Sequence, residues 1–134
     1  MTYSIVAKDR ETSAIGIAVA SRFFACGAMV PFVSQNAAVA SQAFCNPLWG
    51  LEGIDRLNKG ENANDIMSDF IKRDSGQSIR QAHMIDIYGN LHAHTGSDCV
   101  DWAGHASAKL VSVAGNMLVG ENVVRDTLAS YQDN

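Results

Sequence analysis

The chain has 134 residues, 47% hydrophobic and 18% charged, a balance that belongs to folded globular domains and excludes disordered, collagen-like and coiled-coil classes. A chain of this length removes roughly two thirds of its unfolded surface from water around one core, so a single domain over 1–134 is expected. A net charge of −4 without any lysine or arginine cluster argues against nucleic acid and anionic lipid as partners.

Thr2 to Lys8 is β-prone, Asp9 to Ser13 is a polar turn and Ala14 to Ser21 is a second apolar run, which together predict a β-hairpin. In its second strand Ile15, Ile17 and Val19 share one face and Gly16, Ala18 and Ala20 the other, a small-residue face suited to close approach by another layer or a ligand. Between Phe23 and Phe44 short strands are expected around Val30–Val33 and Ala37–Ala40. Asn46 before Pro47 starts a helix to about Lys59, with Leu51, Ile54 and Leu57 as its buried stripe. Asn62 with Asp65 resembles a capping box for a second helix, whose Ile66, Met67, Phe70 and Ile71 repeat at helical spacing until Asp74-Ser75-Gly76. Gln81–Ile87 and Leu91–Thr95 read as another hairpin around Tyr88-Gly89-Asn90, Lys109–Ala114 as a further strand, and Glu121–Tyr131 as a last helix with Val124, Leu128 and Tyr131 on one stripe. There is no βαβ alternation, so the expected class is α+β, antiparallel sheet against helices.

The first residues run straight into an apolar strand with no export-signal pattern, and charged or polar groups interrupt every apolar run short of the ~20 residues that span a bilayer. Cys26, Cys45 and Cys99 are odd in number and irregularly spaced, which suits reduced thiols. A cytoplasmic protein with no membrane association is the expectation.

Thr2-Tyr3-Ser4-Ile5-Val6-Ala7, the run Gly16 to Ala25, Ser41-Gln42-Ala43-Phe44 with Asn46-Pro47, Asp74-Ser75-Gly76 with Arg80-Gln81, His94-Thr95-Gly96 and Gly115-Asn116-Met117-Leu118 follow one another along nearly the whole chain. In this order they resemble a bacterial and archaeal family of unknown function grouped with the N-terminal nucleophile (Ntn) hydrolases, and more distantly proteasome β-type subunits. The resemblance implies an αββα sandwich of antiparallel sheets flanked by helices. It also implies a chain that continues for several tens of residues past the last helix. Closing strands would then be missing here, and a homo-oligomer is expected to cover the open edge.

That resemblance gives Thr2 its role. Removal of Met1 would leave an amine, of ordinary pKa about 7.7–8.0, on the same residue as the hydroxyl it can deprotonate. The plain alternative is a β-prone threonine whose small size reflects processing alone. Two departures from the proteasome pattern weigh against catalysis: no lysine lies between Lys8 and Lys59, and Ala20 stands where an acid would precede the Ser-Arg pair. Arg22 supplies positive charge but shuttles no protons.

Asn116, in a glycine-flanked turn before the last helix, is the candidate oxyanion donor, with backbone N–H groups beside it. Ser21, Gln42, Asn46, His94 and Gly115 are the candidate substrate contacts, although Asn46 also reads as a plain helix cap. His92 and His94, two apart on one strand, could ligate a metal together with His105, Cys99 or Asp98, but strand histidines that merely pack are commoner. No cofactor or metal is assigned. Cys99 as a thiol nucleophile would need a lowered pKa and an oriented base. Three functions remain open: an Ntn-type hydrolase of a small amide or acyl compound, an inactive binding or assembly subunit of that fold, and a histidine-bound metal-dependent hydrolase.

Overall fold

The computed structural model describes residues 1–134 as two four-stranded antiparallel sheets and four helices. The first sheet has the order β2-β1-β8-β7, from β1 (Thr2–Lys8), β2 (Ile15–Ser21), β7 (Gly104–Ala108) and β8 (Val111–Asn116). The second has the order β3-β4-β5-β6, from β3 (Pro31–Val33), β4 (Ala37–Ala43), β5 (Arg80–Asp86) and β6 (Leu91–Thr95). The sheets face each other, with β1 and β2 against β4 and with β8 against β5. Helices α2 (Pro47–Asn58) and α3 (Ala63–Arg73) pack on the outside of the second sheet, and α4 (Asn122–Gln132) on the outside of the first. Helix α1 (Cys26–Met29) is a single turn between β2 and β3. No helix is long and apolar enough to cross a membrane.

Alternation along the strands sorts the core into three layers. Ala37, Val39, Ala82 and Met84 turn outward onto Trp49, Leu57, Ile66, Met67 and Phe70 of the helices. Their neighbours Ala38, Ala40 and Ile85 turn inward onto Val6 and the half-buried Ile15, Ile17 and Val19. Val113 and Leu118 meet Val124 and Leu128 of α4. The Gly16, Ala18 and Ala20 face of β2 is exposed and no layer covers it.

Local chemistry explains the helix starts. Asn46 Oδ1 accepts from the Leu48 N–H at 3.1 Å, and Asn62 Oδ1 from the Asn64 N–H at 2.8 Å, one position earlier than a capping box would use. The stripe expected on α2 holds at Leu57 and at the half-buried Ile54 but not at Leu51. Leu51 is 61% exposed, and Trp49, Gly50, Gly53 and Leu57 are the buried residues. The helix lies so close to the sheet that a Cβ at Gly50 would overlap the Phe32 ring and one at Gly53 would stand 3.2 Å from Val39. Small residues therefore mark the contact where bulky ones were expected. On α4, Val124 is buried while Tyr131 is 43% exposed.

Gly96 closes the loop after β6. Its N–H donates to the Arg80 carbonyl at 2.9 Å, and a Cβ there would overlap the Ser78 backbone carbonyl. Gly96→Ala is expected to destabilise by about 1–3 kcal/mol, read as a lower urea midpoint with an unchanged slope. An unshifted midpoint would mean that the Ser78 turn moves aside freely.

Candidate functional site

At the end of the sandwich where the even-numbered strands finish and β1 begins, a cavity of about 640 Å³ opens to solvent. Thr2, Ser21, Arg22, Gln42 and Asn116 line it, together with an apolar wall that includes Phe23, Met29, Phe44, Val100 and Met117. Strand pairing brings the first of these together: Thr2 lies opposite Ser21 of β2 on one side and Asn116 of β8 on the other. Gln42 comes from β4 of the facing sheet.

The hydroxyl of Thr2 is 2.8 Å from Ser21 Oγ. Ser21 donates its own proton to the Met1 carbonyl at 2.9 Å and accepts from the Phe23 N–H at 3.0 Å, so the Thr2–Ser21 bond must be donated by Thr2. The Met1 amine lies 3.3 Å from Met117 Sδ at the mouth.

Behind the cavity the space between the sheets is polar. Gln81 Nε2 has three acceptors in reach, the carbonyls of Gly115 at 2.9 Å and Gly104 at 3.1 Å and Thr95 Oγ1 at 2.9 Å. Backbone carbonyls only accept, so the amide orientation is determined: Gln81 Oε1 accepts from Gln42 Nε2 at 2.8 Å and from Asn116 Nδ2 at 3.0 Å. Gln42 Oε1 then accepts from the Ser4 hydroxyl at 2.6 Å, which leaves Ser4 to accept from His83 Nε2 at 2.8 Å. His83 is completely buried, and burial, with the charge of His105 as a smaller cause, pushes its pKa down to about 3. It is therefore neutral, protonated on Nε2, and Nδ1 accepts from Ser112 Oγ at 3.0 Å. One chain of bonds thus runs from Ser112 through His83, Ser4, Gln42 and Gln81 to Asn116, and it holds both cavity amides at fixed angles.

The family of unknown function DUF1028 matches residues 2–134. The chain belongs to the DUF1028 family. A crystal structure of a DUF1028 protein from Silicibacter pomeroyi is similar at 33% identity and a TM-score of 0.95 over 99% of this chain. The chain spans 62% of the length of that protein. No curated protein matches.

Three expected contacts of the DUF1028 chain lie away from the cavity. His94 pairs with Ala82 on the helix-facing side of β6; its ring lies 5.8 Å from that of Trp49 and Nε2 is 2.9 Å from the Gln77 carbonyl. Asn46 caps α2 and donates to Asp74 at 2.9 Å. Gly115 acts through its carbonyl on Gln81, and a Cβ there would press on Leu118. His92 is two residues from His94 on the same strand, and no three His, Cys, Asp or Glu side chains gather into a group that could hold a metal ion. Cys99 lines the cavity, but burial raises its pKa and its thiol donates to the Arg80 carbonyl at 3.2 Å, the opposite of an activated thiolate. Sequence reasoning missed Ser4, Gln81, His83 and Ser112. Their one signal was a polar side chain at inward-facing positions of otherwise apolar strands.

Proposed function

We propose that this DUF1028 chain is an Ntn-type hydrolase of a small amide or acyl compound, with Thr2 as nucleophile once Met1 has been removed. The observation that carries this reading is the Thr2 hydroxyl in the wall of an open cavity, hydrogen-bonded to Ser21 and strand-paired with Asn116. Loss of Met1 would free the Thr2 amine to act as base and would take away the carbonyl that now accepts the Ser21 proton. Ser21 could then pass a proton between the Thr2 hydroxyl and amine. Asn116 spends one Nδ2 hydrogen on Gln81 and has a second for an oxyanion, and Gln42 is in the same position. Arg22 contributes a fixed positive charge.

The αββα Ntn affiliation, a cytoplasmic location and a homo-oligomer belong to the same proposal. Support for assembly comes from Phe23 and Phe24, which are 60% and 92% exposed beside the mouth. A second reading, an inactive binding subunit, is favoured by the absence of any lysine from the cavity wall.

Intact mass after expression with normal processing and a screen of small amides test the choice. The hydrolase reading expects loss of Met1 and turnover that Thr2→Ala lowers by at least about a thousandfold with the fold intact. Uniform retention of Met1, or equal turnover by Thr2→Ala, would leave the binding-subunit reading in its place.

A further inference from the structure

The cavity wall carries one cationic side chain, Arg22, and one anionic side chain, Asp98. Both side chains are exposed, and they pair neither with each other nor with any other residue, as holds too for Lys8, Arg10, Lys72 and Lys109. Arg80, the other guanidinium near the mouth, is already committed to Asp74 at 3.1 Å and to the Phe44 carbonyl at 2.7 Å.

Arg22, Asp98 and the chain amine at the mouth, none of them in an ion pair, therefore border the same apolar space. Its wall exposes large side chains to an unusual degree: Phe44 is 71% exposed, Val100 56% and Met117 50%. Such groups gain most from an apolar ligand that covers them. A purely anionic ligand would meet Arg22 but be repelled by Asp98, and a purely cationic one the reverse. A neutral apolar ligand would cover the apolar wall but use neither of the two exposed charges. Only a ligand with both charges and an apolar body satisfies all three features.

We infer that the cavity binds a short zwitterionic peptide with apolar side chains, of dipeptide size, its carboxylate on the Arg22 guanidinium and its ammonium on the Asp98 carboxylate. The guanidinium fork matches a carboxylate with two parallel N–H donors, and a carboxylate is the usual partner of an ammonium. A volume of about 640 Å³ is ample for two residues and too small for a folded partner. A dipeptide also carries its single amide bond between its charges, the bond a nucleophile in this wall would attack. This last point rests on the hydrolase reading, while the binding claim stands without it.

Calorimetry on the full chain carrying Thr2→Ala, in which turnover cannot intrude, separates the possibilities. The probes are the dipeptide Phe-Leu, its N-acetyl form, its C-terminal amide and the doubly capped form. Phe-Leu is expected to bind, and either cap to weaken it by about tenfold or more. Arg22→Gln should abolish the difference between acid and amide while keeping the difference between amine and acetyl, and Asp98→Asn should do the converse. Equal binding of capped and uncapped forms, tighter binding of the N-acetyl acid, or no saturable binding of any probe would each overturn the inference. The two readings fail separately. If Phe-Leu binds in this pattern but a chain shown by mass to begin at Thr2 does not cleave it, only the hydrolase is lost. If amides are cleaved without regard to caps, only the zwitterion site is lost.

Discussion

Gln81→Leu is expected to unfold the protein or to lower its melting temperature by more than about 10 °C, the largest effect of any single substitution outside the apolar core. Gln81 is fully buried and its one amide serves five partners: the carbonyls of Gly104 and Gly115, the hydroxyl of Thr95, and the amides of Gln42 and Asn116. Leucine fills a similar volume but satisfies none of them. Each buried polar group left unpaired costs about 1–3 kcal/mol, and three or more such losses approach the whole stability of an ordinary domain, about 5–15 kcal/mol. Gln81→Glu is the informative companion: it keeps two acceptors and loses the donors, so the two backbone carbonyls would face a carboxylate. Thermal melts of both variants give the result directly, and a Gln81→Leu chain that melts like the parent would mean that water replaces the amide without loss.

The second large effect is on pH dependence. His83 is neutral in the fold, with its pKa held at about 3 by burial, while an unfolded chain has a histidine of ordinary value near 6.5. Below pH 6.5 the unfolded state takes up a proton that the folded state refuses. Stability therefore falls as pH falls from about 6.5, and the loss levels off near pH 3. Between pH 7 and pH 5 the difference amounts to about 2 kcal/mol from this residue. His92 and His105 are also lowered, chiefly by burial, and add in the same direction.

The carboxylates act in a lower window. Asp69 is held down by its hydrogen bond from Arg56. Asp74 is held down too, because donors from Asn46, Arg80 and the Gly76 N–H outweigh the opposing effect of burial. Their stabilisation is present above the ordinary aspartate value of 3.8 and is lost only as pH falls below it. Urea midpoints between pH 5 and 7 thus report the histidines. His83→Gln is expected to be less stable at pH 7 but to lose far less between pH 7 and 5. If its slope equals that of the parent, His83 is not the group that titrates.

Much of the fold was legible in the chain. The hairpin at Thr2–Ser21, both capped helices, the hairpin around Gly89 and the last helix follow from alternation, caps and turn residues, all of which act within a few positions. Strand β7 was not legible because the inward face of Gly104-His105-Ala106-Ser107-Ala108 carries only glycine and alanine, which are poor strand formers, and β8 begins two residues later than expected because Leu110 turns the chain with a φ of 68°. On α2 the expected Leu57 and Ile54 do pack on the core, but Leu51 does not, and the glycines that mark the closest approach to Phe32 and Val39 are absent from any hydrophobic stripe.

For the site, Thr2, Ser21, Arg22, Gln42 and Asn116 were named from resemblance, and they do line one cavity. His94 and Asn46 were named with them, yet side-chain alternation turns His94 to the helix side and helix capping occupies Asn46.

By itself the amino-acid sequence determined the class of fold, the ends of most elements and the family to which the chain belongs, because these depend on local spacing and on ordered blocks of residues. Only the tertiary structure decided which side of each strand faces the partner sheet. That choice buried Gln81 and His83 as a polar hub and sent His94 to the helix side. The reason is physical: a strand presents its two faces alike until another layer covers one of them, and that layer is contributed by residues far away along the chain.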